Sequence, residues 1–272
     1  MIQIEVRCGI DESKVSSIVE ARAATLGLSD IEIATIVVSE DKDYGNCIKQ
    51  SKGYSGGQTH SPGGVAKTLP FRLSRHDVVS DIVIKRSVFE EIVADNKTSD
   101  MHNLCDYVLS HELGHARDYA TRRILPPNSR PDFGRPIDEL GVYWGPILLS
   151  EFAACFLAGP MVSAEQYRLI AENSVECISS GMSSLGTYKC QVYWNVLVEQ
   201  SKIAGSSMGA PDGPYPKYKK WARIGPDIIE QLEAFSHELE KLRTSYPIWE
   251  ETTAIAMLTN RCQALYEAMK AT

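Results

Sequence analysis

A chain of 272 residues with 43% hydrophobic and 23% charged side chains has the composition of a globular protein able to bury a sizeable core. Its formal net charge of −7 argues against nucleic-acid binding through overall charge, and no apolar run approaches membrane-spanning length. Seven scattered cysteines include no C-x-x-C pair, so neither a disulfide framework nor a cysteine zinc site is expected.

Residues 2–7 alternate as a strand, 12–26 read as an amphipathic helix closing at Gly27, and 31–38 read as a second strand. This β-α-β opening predicts a small sheet. Without a basic region followed by an apolar run at the start, the expected compartment is the cytoplasm, and the cysteines are expected to be reduced. Residues 44–70 are rich in Gly, Ser, Thr and Lys, and read as a long mobile loop suited to covering a substrate. Ala66 stands before Lys67-Thr68 where a phosphate-cradling loop needs Gly, and His60 reads as a solvated loop histidine. Residues 77–85 read as a further strand, available to pair with an extended peptide beside a cleft. Ser87 and Glu90 have the spacing of a capping box for a helix to about Val93.

The next helix, predicted over about 100–123 with Ser99 or Asp100 as its cap, carries His111-Glu112-Leu113-Gly114-His115. Two histidines four residues apart share a helical face, so both imidazoles can reach one metal ion. Glu112 points roughly 100° round the helix, placed to touch a water on that metal without ligating it. With 6 histidines in the chain, chance yields only about 0.01 such matches. A pair of structural histidines is the competing reading. Leu104, Val108, His111 and His115 form one line, so the histidines are expected to continue a buried face.

Residues 124–146 are rich in proline and read as irregular, and a second helix is expected from Pro146 to Gly159-Pro160. That helix is apolar nearly all round and carries one charge, Glu151. A lone buried carboxylate is costly unless it is paired or bound to metal. Glu151 is therefore the preferred third ligand, on a rigid helix able to pack against the first. Asp138 and Glu139 compete from the Pro-rich stretch. Thr121 and Asp118 stand where the longer three-histidine motif has its last histidine and its glycine, which excludes that arrangement. Two histidines and a glutamate suit a catalytic zinc ion with one position open to water, with Glu112 as general base. Tyr143, other tyrosines and His76 remain open as donors to an oxyanion.

Helices are expected over 163–180, 186–204, 226–244 and 247–270, with a core stripe of Ile228, Ile229, Leu232, Phe235, Leu239 and Leu242. His237-Glu238 nearly repeats the metal motif, but Lys241 occupies the second ligand position. Lys217, Lys219, Lys220 and Arg223, among Tyr215, Tyr218 and Trp221, read as a solvated linker with aromatic anchors rather than a nucleic-acid site.

His111-Glu112-Leu113-Gly114-His115, followed by Glu151-Phe152-Ala153-Ala154, resembles the gluzincin branch of zinc metallopeptidases with its second E-x-x-A motif. The run from Glu151 to Pro160 is similar to the second helix of the IrrE/ImmA-like peptidases. The resemblance covers about residues 75–160. It implies an α+β, zincin-like fold: a small N-terminal sheet with the active-site helix, followed by a mainly α-helical C-terminal region. It also implies Zn2+ at His111, His115 and Glu151, catalysis by Glu112, and a peptide or protein substrate. Cys155 stands where many gluzincins have an aspartate supporting the site. The expected division is 1–162 as the metallopeptidase region and 163–272 as a helical region packed on it. The alternative is a non-catalytic protein that keeps the zincin scaffold for binding or regulation.

Overall fold

Ile36 and Val38, then Ile82 and Ile84, alternate along their strands because one face of a sheet must meet the helices that cover it. The structure is a computed structural model that describes residues 2–28, 32–54, 64–75, 77–94, 99–125, 137–159 and 226–271. Contacts divide the chain into two compact units, Met1–Arg130 and Pro131–Thr272. Its class is α+β, with one four-stranded sheet and seven α-helices among the described residues.

The first unit holds β1 (Gln3–Arg7), β2 (Ile33–Ser39), β3 (Ala66–Arg72) and β4 (Val78–Lys85) in the order β1-β2-β4-β3. β1, β2 and β4 run parallel, and β3 runs antiparallel to β4. On one face Ile36, Val38, Ile82 and Ile84 pack with helices α1 (Glu12–Thr25), α3 (Arg86–Val93) and α4 (Asp100–Thr121) through Val15, Val19, Phe89, Leu109 and Leu113. On the other face Val37, Leu69 and Val83 pack with Tyr44, Cys47 and Ile48 of α2 (Tyr44–Gln50). The Asp11 carboxylate accepts the Ser13 N–H to start α1, and Gly27 closes it at φ 65°, where a Cβ is disfavoured.

Three expectations for this unit are corrected. The stretch 44–70 is not one loop: it contains α2 and the edge strand β3. β4 lies between β2 and β3, so β3 and not residues 77–85 forms the outer strand. α3 starts without a side-chain capping bond from Ser87, because Ser87 N–H is taken by the Asp41 carboxylate at 3.1 Å and Glu90 binds Arg86 instead.

The turn after α2 is held tightly. Asp81, 5% exposed on β4, accepts the Lys52 N–H at 2.7 Å, and a Cβ on Gly53 would stand 2.3 Å from the Leu69 carbonyl oxygen. Gly53→Ala is therefore expected to cost about 1–3 kcal/mol in urea unfolding, since backbone must move to admit one methyl group. Burial pushes the Asp81 carboxyl above its usual range, opposed by the Lys52 and Gly53 N–H groups. A carboxyl raised in the folded state contributes stability that is complete below the unfolded value of about 3.9 and is lost as pH rises through the folded value. The stability of Asp81→Asn minus that of wild type should therefore grow as pH rises from about 4. A pH-independent difference would contradict the assignment.

The second unit holds α5 (Ile137–Ala158), α6 (Pro226–Arg243) and α7 (Glu251–Ala271), and α7 packs on both α5 and α6. α5 begins at Ile137 and not at Pro146, which lies inside it. Trp144 is fully buried before that proline, and a Cβ on Gly145 would stand 3.0 Å from Ile255 Cγ2 of α7. This packing holds the first turns helical despite the hydrogen bond that Pro146 cannot make. The α6 stripe is as expected at Ile228, Leu232, Phe235 and Leu239, all buried. Phe152, Phe156, Tyr246 and Trp249 form an aromatic cluster with centroids 5.1–6.3 Å apart. Glu238 is held below the usual carboxylate range first by Arg261, at 2.9 Å, and then by Lys241. Cys8, Cys47, Cys105, Cys155 and Cys262 are thiols. Among the described residues no helix is long and apolar enough to cross a membrane. The helices expected over 163–180 and 186–204, and the basic aromatic segment 215–223, lie outside the described residues.

Candidate metal centre

α4 is fixed before it presents any chemistry. The Ser99 hydroxyl oxygen caps it by accepting the His102 N–H at 3.0 Å, and His102 Nδ1 meets the Glu91 carbonyl of α3 at 2.9 Å. Arg22 of α1 grips Asp106 through two donors on one guanidinium edge, Nε to Oδ1 at 2.7 Å and Nη2 to Oδ2, and Arg117 pairs with Glu32 ahead of β2. Leu109, Leu113 and Ala116 are fully buried against the sheet. The helix cannot easily roll.

Four rings stand along one side of it, each four residues from the last. The His111 ring lies 5.9 Å from Tyr107 and 4.5 Å from His115, and His115 stacks on Tyr119 at 5.5 Å with 15° between planes. The expected buried line through Leu104 is corrected: Leu104 is 44% exposed, while His115 is 6% exposed. The ladder of rings, not an aliphatic stripe, carries the histidines.

The Nε2 atoms of His111 and His115 face each other at 3.1 Å. Two nitrogens each 2.0–2.1 Å from a tetrahedral ion would stand roughly 3.4 Å apart, so this spacing is close to what a shared divalent ion requires. Glu151 lies on α5, half-buried, followed by the buried Phe152, Ala153, Ala154 and Cys155. His111 and His115 belong to the first unit, and Glu151, the expected third ligand, belongs to the second. Two imidazoles and a carboxylate suit zinc and several other first-row divalent ions.

Glu112 turns to the sheet. The Thr68 hydroxyl of β3 lies 2.7 Å from its Oε2 and 2.9 Å from its backbone carbonyl oxygen. Thr68 is not legible as a site residue in the sequence, because its segment reads as loop; its register opposite Ile82 is the signal that places it on the α4 side of the sheet. Tyr44, buried on the other face, has its phenol pushed up first by burial and then by the negative charge of Glu112. Behind the histidines, Arg122 Nε donates to both carboxylate oxygens of Asp118, at 3.0 and 3.1 Å.

Other sequence candidates stand apart or cannot be placed. His237 is exposed on α6, 3.7 Å from Glu240, and Lys241 binds Glu238, as expected for a motif that lacks its second ligand. His60 and His76, and the side chains of Asp138, Glu139 and Tyr143, lie outside what the structure describes. No family model matches the chain, and no curated protein or solved structure is similar to it at a significant level.

Proposed function

We propose that this protein is a zincin-like, zinc-dependent peptidase of the gluzincin type, acting in the cytoplasm on a peptide or protein substrate. The observation that carries the reading is the facing pair of Nε2 atoms on a helix held rigid by its neighbours, with Glu112 beside the first histidine. His111 and His115 would hold the ion, with Glu151, the one charge between Pro146 and Pro160, as the third donor. Zinc held in this way supplies an acidified water, with a pKa of about 7, and polarises the scissile carbonyl.

The chain's own residues do the rest. The Glu112 carboxylate accepts the proton of the attacking water and returns it to the departing amine as the C–N bond breaks. The ring ladder and the burial of His115 keep both imidazoles in one orientation, so little order remains to be imposed when the ion binds. The thiols of the described cysteines accord with a reducing compartment.

The test is metal content together with turnover. Wild type should retain about one equivalent of zinc after dialysis, and His115→Ala and Glu151→Ala should each lose most of it. Wild type should also cleave members of a peptide library. Absence of zinc binding would overturn the metal assignment. Stoichiometric zinc without cleavage of any peptide would favour a scaffold that binds without catalysis.

A further inference from the structure

We propose that Thr68 is a positioning residue for the general base, acting from the outer strand of the sheet. The inference rests on the peptidase reading of Glu112. Thr68 is 7% exposed on β3, paired with Ile82 of β4, and its hydroxyl lies 2.7 Å from Glu112 Oε2 and 2.9 Å from the Glu112 carbonyl oxygen. One hydroxyl has one hydrogen to donate, and the charged oxygen is the stronger acceptor.

The geometry does two things at once. The bond to Oε2 fixes the last torsion of a long side chain, which is broad and weakly determined when left to itself. The nearness to the carbonyl of the same residue ties that choice to the turn of α4 carrying both histidines, so base and ligands move together. Thr68 gains its own rigidity from the antiparallel ladder, in which β3 is paired from Ala66 to Arg72. A β-branched residue has few side-chain rotamers in a strand, so the hydroxyl is aimed by the backbone. Serine keeps the donor, while valine keeps the shape and removes it.

Three variants test this: Thr68→Val, Thr68→Ser and Thr68→Val combined with Glu112→Gln. With a cleavable peptide, Thr68→Val should lower kcat about tenfold to a hundredfold with KM within about twofold, because a misplaced base slows the step without weakening binding. Thr68→Ser should recover kcat to within about threefold, and Thr68→Val should add no further loss in the Glu112→Gln background. Zinc content should be unchanged throughout. Wild-type kcat in Thr68→Val would overturn the proposal, as would Thr68→Ser being as slow as the valine variant. A readout independent of turnover is the Glu112 carboxylate in crystal structures of the metal-loaded variants. It should shift in Thr68→Val and stay in Thr68→Ser. If wild type cleaves nothing, the peptidase reading fails, and the crystal structures still show whether Thr68 holds the carboxylate; an unmoved carboxylate in Thr68→Val would overturn that too.

Discussion

Glu112→Gln is expected to bind zinc as tightly as wild type and to lose cleavage by about 10²–10⁴-fold in kcat, the contribution of a placed general base. Glutamine has nearly the same shape and still offers an oxygen to the Thr68 hydroxyl, which lies 2.7 Å from the native Oε2. It cannot accept a proton at neutral pH. The loss should fall on kcat, with KM nearly unchanged, because the group acts on the water in the transition state and not on the resting substrate. Zinc measured on the same preparation separates lost chemistry from lost metal. Cleavage within about threefold of wild type would remove Glu112 from the mechanism.

The second large effect is on stability. Asp118 and Arg122 are joined at the end of α4 with side chains 0% and 3% exposed. Removing one member of a buried pair leaves a charge without its counterpart, which costs about 3–5 kcal/mol. Arg122→Met should therefore lower the stability of the first unit by that amount in urea denaturation followed by far-UV circular dichroism. Asp118→Leu combined with Arg122→Met should recover much of the loss, since well-packed apolar side chains of similar volume often replace such pairs at little cost. A loss below about 1 kcal/mol in the single variant would show that the site relaxes or admits water. Because Asp118 stands one turn beyond His115, the single variant also tests how far zinc affinity depends on the last turn of the helix.

The residues that state their own periodicity were the legible ones. β1 alternates, β2 and β4 are short runs rich in Val and Ile, and α4 announces itself through Ser99, its apolar positions and the i, i+4 histidines. What the sequence concealed depends on partners distant in the chain. β3 contains Lys67 and Pro70, residues that weaken a strand signal, and it exists because β4 supplies a ladder from Val78 to Ile84. Pro146 has the look of a first-turn proline, yet burial of Trp144 and the close approach of Gly145 to Ile255 extend α5 nine residues earlier, to Ile137. The site divides in the same way. His111 and His115 follow from spacing alone, whereas Thr68, 44 positions before Glu112, enters only through strand register. The expectation for Leu104 fails because the face that matters on α4 runs through its rings.

The division of the chain at residue 130 has an optical corollary. All four tryptophans, Trp144, Trp194, Trp221 and Trp249, fall in the second unit, and the first has none. Indole emission should therefore follow the melting of one half of the protein while remaining blind to the half that carries His111 and His115. Where emission and circular dichroism trace different denaturation curves, the halves unfold as separate cooperative blocks, and a single melting temperature would describe neither.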